Sequence, residues 1–175
     1  LGPGFDTLGL ALDLYDELEG EILESGLEVS VTGPGAGEVP LDERHLVVRA
    51  MRLAFEAMDV RPPGLRLSCA NRVPHARGMG SSSAAIVGGI VLARALVADG
   101  TELLDDDAVL QLAAGEEGHP DNVAPALFGG FVVAGLVGER FFSVDVPVHP
   151  DLRVVALVPA QPLSTEVARS LLPET

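Results

Sequence analysis

Apolar and polar residues alternate through Leu27-Glu28-Val29-Ser30-Val31-Thr32, a period of two that predicts a strand with one buried face. Leu8 to Asp16 alternates more loosely but is apolar, contains Tyr15 and predicts another strand. After a loop at Gly33-Pro34-Gly35-Ala36-Gly37, Leu46, Val47, Ala50, Met51, Ala54, Phe55 and Met58 recur at the spacing of one helix face. Leu65 to Ala70 predicts a further half-buried strand. Ser81 to Ala98 predicts a long helix that opens on small residues. Asp105 to Glu117 predicts a second, with Asp105, Asp106 and Asp107 set against its N-terminal dipole. Phe131 to Val137 and Arg140 to Val146 read as strands paired across Gly138, Leu152 to Val158 as another strand, and Ser164-Thr165-Glu166 as the cap of a last helix through Leu172. The order β, β, α, β, α, α, β, β, β, α mixes meander and crossover pieces, which points to an α+β fold.

Composition narrows the function classes. The 175 residues are 47% hydrophobic and 21% charged, ordinary globular values for one main core. Basic residues number 11 against 26 acidic ones, for a net charge of −15, and every basic residue is Arg. Such a chain has no basic footprint for nucleic acid and is repelled by anionic membranes. Without lysine it cannot carry the Gly-Lys-Ser/Thr phosphate motif. No apolar run is long enough to span a bilayer, and the single cysteine, Cys69, cannot form an internal disulfide, so a cytoplasmic location is expected. The chain opens at Leu1 in turn chemistry and stops just past the last predicted helix, so an internal fragment is expected. Pro147 and Pro150 mark a boundary between a first domain, 1–147, and the beginning of a second, 148–175.

The sharpest chemical signal is Pro74-His75-Ala76-Arg77-Gly78-Met79-Gly80-Ser81-Ser82-Ser83-Ala84, which runs straight into the small-residue helix. Gly78 and Gly80 let the backbone turn with N–H groups converging, and a helix start adds partial positive charge, so the segment suits a phosphate without lysine. A serine-capped Gly-Ser loop with no ligand accounts for the same residues. Gly80-Ser81-Ser82-Ser83-Ala84 is also one substitution from the hydrolase nucleophile elbow, with Asp121 and His149 following in the required order. An elbow needs a strand running into its first glycine, however, and residues 71–77 are polar and broken by Pro74. A second signal, Glu116-Glu117-Gly118-His119-Pro120-Asp121-Asn122, gathers oxygen and imidazole groups where a helix ends. Facing a phosphate loop, its carboxylates would suit Mg²⁺, although helix-end and turn chemistry explain the same residues. Asp6 hangs from the tight Gly2-Pro3-Gly4-Phe5 segment. Thr165 and Arg169, four apart, share one helix face and could hold a carboxylate.

Taken in order, these segments resemble the GHMP kinases, and among them the homoserine kinase branch. The resemblance rests on Leu1-Gly2-Pro3-Gly4-Phe5-Asp6, on residues 74–84 as the phosphate loop, and on His119-Pro120-Asp121-Asn122-Val123-Ala124-Pro125-Ala126-Leu127 with Gly129-Gly130. It implies the GHMP kinase N-terminal domain, similar to the second domain of ribosomal protein S5, followed by the start of a ferredoxin-like C-terminal domain. It implies transfer of the ATP γ-phosphate to the terminal hydroxyl of L-homoserine, with Mg²⁺, in threonine biosynthesis. Pro74 and Arg77 to Ala84 would cradle the nucleotide phosphates. A loop serine, taken as Ser81, and Glu117 would hold Mg²⁺, with Glu116 a rival for the acid. Asp6, His119, Asn122, Thr165 and Arg169 match acceptor-binding positions, with Arg169 meeting the amino acid's carboxylate, and Asn122 and Ser81 match catalytic ones. Other members place a catalytic aspartate where this chain has Asn122. Met79 replaces the family's usual Leu, a swap that conserves volume. The family's preceding strand and its later Gly-rich loop and second arginine have no counterpart, so the fragment is expected to be inactive alone. A homodimer is compatible with this reading, as are another GHMP small-molecule kinase and a nucleotide-binding module without chemistry.

Overall fold

β4 (Gly64–Ala70) forms the centre of one three-stranded sheet, with β2 (Glu17–Leu23) antiparallel on one side and β3 (Gly26–Thr32) parallel on the other. A computed structural model describes residues 4–158. The second sheet is antiparallel in the order β1 (Leu8–Leu10), β5 (Phe131–Val137), β6 (Arg140–Asp145). Between the strands run α1 (Leu46–Ala57), α2 (Ser81–Ala95), the short α3 (Gly100–Leu103), α4 (Asp106–Glu117) and α5 (Val123–Phe128). The expected α+β class is what the chain adopts.

Helix α2 occupies the middle of the molecule, packed on α1, α4, α5 and β2. It has apolar or small residues all round, as a helix buried on most sides must. Ile86 and Ile90 of α2 join Val48, Met51 and Phe55 of α1, Leu65 and Leu67 of β4, Val109 of α4, Val123 of α5 and Val132 of β5 in one core. Two glycines set the distances. A Cβ on Gly88 would lie 2.7 Å from the Leu18 side chain of β2, and one on Gly89 would lie 2.7 Å from the Val47 carbonyl oxygen of α1. Cys69 lies in the same core; burial, reinforced by the charge of Asp16, pushes its thiol up to about 11 and keeps it neutral.

Three expectations change. The strand expected over Leu8–Asp16 is only Leu8–Leu10; the chain then leaves that sheet, and the Asp16 carboxylate accepts from the Arg72 and Val73 N–H groups at 2.6 and 2.8 Å. The long helix stops at Ala95, where the chain turns through Asp99, at φ 57°, into α3. Leu152–Val158 forms no strand: no described neighbour pairs with it, and Val155 and Leu157 are 82% and 93% exposed. The expected boundary near 147 comes just after β6, the last strand among the described residues, and the helix expected from Ser164 lies outside them.

Replacing Gly89 by Ala tests the close crossing of α1 and α2. Helix propensity favours the change by about 1 kcal/mol, whereas overpacking against a backbone carbonyl costs about 1–3 kcal/mol. The expected result is a net loss of stability in denaturant unfolding; a gain would show that the helices can separate freely.

Candidate functional site

The segment leading into α2 is built from left-handed backbone: Ala76, Gly78 and Gly80 have φ of 52°, 69° and 72°. Gly80 is the N-cap of α2, and no side chain caps the helix. The backbone N–H groups of Ser81, Ser82 and Ser83 are thus the ones that an α-helix leaves without an internal acceptor. The first internal bond of the turn runs from Ala84 N–H to the Gly80 carbonyl at 2.9 Å. Ser83 is buried, and its hydroxyl has no hydrogen-bond partner. Arg77 folds over its own loop, its guanidinium 3.4 Å from the carbonyls of His75 and Ala76. Pro74 and Met79 are half-buried at the two ends of this turn.

The last turn of α4 faces this helix start. Ser82 donates its hydroxyl proton to Glu117 Oε1 at 2.6 Å, and the Glu117 side chain is 10% exposed. Glu116 pairs with Arg49 of α1 instead. Successive helical residues lie about 100° apart around the axis, so only one of the two acids can look toward the loop. The same rotation separates the serines, and the hydroxyl in contact with Glu117 is that of Ser82 rather than Ser81.

Gly118, at φ 89°, ends α4 and turns the chain into the second half of the site. His119 Nδ1 and Asp121 Oδ1 are 2.7 Å apart, and His119 Nε2 is 3.9 Å from Glu117 Oε1. The Asn122 side chain lies beside Gly80, whose Cβ would come within 3.8 Å of it. Asp6 arrives on a turn closed by the Thr7 N–H to Gly4 carbonyl bond of 3.0 Å, and itself has φ 62°. One ligand atom from each of Asp6, His119 and Asp121 falls within 4.8 Å of the others. Burial acts to raise the Asp121 carboxyl, but the His119 hydrogen bond and charge, with the N–H groups of Asp121 and Asp6, outweigh it and hold Asp121 below its ordinary value.

The structure thus brings Gly80, Ser82, Glu117, His119, Asn122 and Asp6 into one region; Thr165 and Arg169 lie outside the described residues. The hydrolase alternative finds no geometry. Ser82 sits inside a helix behind a left-handed glycine, Asp121 is engaged by His119, and His149 is exposed beside Asp151. The sequence offered Asp121 as the acid of the hydrolase alternative and as one carboxylate of the cluster after α4, without a role of its own beside His119. Its burial, at 6% exposure, is what marks it as part of the site.

Because the Asp121 carboxyl is held below its ordinary value of 3.8, its contribution to stability is complete above that value and is lost as pH falls through the lower, folded-state value. Asp121→Asn should therefore unfold more easily than the parent at pH 7, and the gap should close as pH falls below 3.8. A gap independent of pH would place the effect in packing rather than charge.

Comparison with known proteins fits this geometry. Residues 45–130 match the GHMP kinases N terminal domain. The chain is 52% identical to a homoserine kinase of Corynebacterium urealyticum over 99% of its own length and 58% of that protein's. It is 51% identical to the Mycolicibacterium smegmatis homoserine kinase, again over 99% of the chain and 57% of the relative. It therefore spans little more than half the length of these curated relatives. Among solved structures, a homoserine kinase from Cytophaga hutchinsonii superposes with a TM-score of 0.73 at 28% identity, covering 98% of this chain and 56% of that one. A mevalonate kinase of L. major shares the fold at a TM-score of 0.54 and 20% identity, covering 78% of this chain and 44% of that one. The loop-to-helix site and these relatives lead to one assignment: the chain belongs to the GHMP kinases, carries their N-terminal domain, and has homoserine kinases as its homologues along its whole length.

Proposed function

We propose that the whole protein is a homoserine kinase, moving the γ-phosphoryl group of ATP to the terminal hydroxyl of L-homoserine to give O-phospho-L-homoserine for threonine biosynthesis. The observation that carries this reading is the Ser82–Glu117 contact at the start of α2, directly beside Asn122 and the Asp6, His119 and Asp121 cluster. A phosphate cradle and a set of groups suited to an amino acid sit within one side chain's reach of each other.

In this reading Pro74 and Arg77 to Ala84 surround the nucleotide phosphates, and the N–H groups of residues 81–83 supply hydrogen bonds at the positive end of the helix dipole. Ser82 and Glu117 offer hydroxyl and carboxylate oxygens, the hard donors that Mg²⁺ prefers and shares with phosphates. Bound there, Mg²⁺ would neutralise charge on the phosphate oxygens. Ser82 takes the role that the family resemblance gave to Ser81, because it is the hydroxyl in contact with Glu117.

On the acceptor side, the Asp6 carboxylate suits the ammonium group, with His119 close beside it, and the family resemblance gives Thr165 and Arg169 to the carboxylate end. Asn122 replaces the aspartate of other members. A neutral amide takes no proton from the hydroxyl, so it serves by holding the nucleophile in line. The neighbouring acid, Asp121, is buried and committed to His119. Catalysis then rests on positioning and on charge stabilisation of a loose transition state. A cytoplasmic location belongs to the same reading, supported by the single, buried Cys69 and by the absence, among described residues, of a helix able to cross a membrane. A homodimer remains to be read by sedimentation.

A coupled ADP assay on the whole protein tests the reaction. ADP release should require both L-homoserine and Mg²⁺; turnover with a different alcohol would move the acceptor elsewhere in the family, and ATP binding without turnover would leave a binding module. Glu117→Gln should raise the Mg²⁺ concentration needed for half-maximal activity by at least the roughly 10–100-fold in metal affinity that loss of a mere supporting group costs. Glu116→Gln should leave it within about twofold, since it removes only a surface ion pair worth about 0–1 kcal/mol. The reverse ranking would exchange the two acids.

A further inference from the structure

We propose that Asp121 is the positioning residue of the acceptor site, a single buried carboxylate that orients both His119 and Asp6. The inference rests on the reading of those two residues as acceptor ligands. Asp121 lies 2.7 Å from His119 Nδ1 and receives the backbone N–H of Asp6, while its own side chain is 8% exposed. A carboxylate buried to this degree requires donors on its oxygens, and these two stand beside its own backbone N–H in that role.

The bond to Nδ1 has a geometric consequence. With its proton on Nδ1, a neutral imidazole presents Nε2 as an acceptor from the opposite side of the ring. In His119 that nitrogen is on the side of Glu117, 3.9 Å away. The imidazole is therefore aimed at the space between the phosphate loop and the acceptor, and Asp121 sets the aim. The second bond acts on Asp6, whose left-handed φ of 62° is uncommon outside glycine. The N–H to Asp121 ties that turn to the rest of the site. Asp121 is itself fixed from behind: its carbonyl oxygen would lie 1.9 Å from a Cβ on Gly9, so the β1 backbone packs directly on it. The proximity of Asp6, His119 and Asp121 within 4.8 Å could also suit a cation. The hydrogen bond between Nδ1 and Asp121 occupies atoms that such a cation would need.

Asp121→Asn in the whole protein provides the kinetic test. The expected result is a rise of about tenfold to a hundredfold in the KM for homoserine, the loss of one charge-assisted bond. The KM for ATP should change by less than about twofold, and kcat by less than the homoserine KM. Combined with His119→Ala, the two effects should fall well short of their product, because one acts through the other. If the parent turns over homoserine and Asp121→Asn leaves its KM unchanged, or raises both KM values alike, the positioning role is wrong. Nitrogen NMR of the parent supplies a second readout that needs no turnover and does not depend on Asp121→Asn folding. The His119 ring, assigned by its loss in His119→Gln, should carry its proton on Nδ1, with a downfield proton resonance. A proton on Nε2 alone would overturn the proposal. Absence of homoserine turnover in the parent, with that resonance present, would instead overturn the acceptor reading and leave the Asp121–His119 contact intact.

Discussion

The missing side chain at Gly9 is the constraint on which the site depends. Any Cβ there would collide with the Asp121 carbonyl oxygen and with the Pro125 ring, at 1.9 and 2.7 Å. Backbone can therefore lie on backbone where β1 passes the turn after α4, and the Asp6 N–H reaches the Asp121 carboxylate. Two segments more than a hundred residues apart in the chain are joined by that contact. From it follow the placement of His119 against Asp121, of Glu117 beside His119, and of Ser82 on Glu117. The run of polar contacts starts in the first described turn and ends at the first turn of α2.

Helix α2 supplies the other half of the arrangement. Its sequence is too uniformly apolar to show a strong polar face, and the structure explains why: α1, α4, α5 and β2 surround it. Gly88 and Gly89 bring two of these neighbours closer than a methyl group would allow. A helix so enclosed has little freedom to tilt, since interiors are packed at crystal-like density. Its N-terminal N–H groups are thereby held at a fixed place and direction, which is what an electrostatic cradle for phosphate requires. In the proposed reading the large aliphatic core would serve chemistry indirectly, by aiming a dipole.

What the sequence revealed depended on whether a signal was local. The Leu27–Thr32 alternation and the α1 spacing are visible because one face of each element is buried and the other wet. β2 is not evident from the pattern: in Glu17-Leu18-Glu19-Gly20-Glu21-Ile22-Leu23 the alternation carries only Leu18 and Gly20 inward, Ile22 is exposed, and Gly20 is small because Leu92 and Leu96 of α2 lie over it. α5 was hidden by Pro125, which reads as a breaker but sits in the first turn, where a proline is tolerated. Leu152–Val158 has the composition of a strand but no partner among the described residues, and composition does not report partners. The candidate site was legible as motifs, down to Gly80, Glu117, His119 and Asn122. The sequence favoured Glu117 over Glu116, but that Ser82 rather than Ser81 contacts Glu117 turns on helix rotation at two facing ends, which a motif does not encode. The contact of Asp121 with His119 was not legible, because it depends on burial, which a turn motif does not encode.

A crystal structure of the whole protein with Mg²⁺, a non-hydrolysable ATP analogue and L-homoserine would test the central claim most directly. The account predicts the phosphates against the N–H groups of Ser81 to Ser83, the metal between Ser82 and Glu117, and the homoserine amino group by Asp6 with its hydroxyl at Asn122. Phosphates bound away from the start of α2, or homoserine bound away from the Asp6, His119 and Asn122 groups, would contradict it.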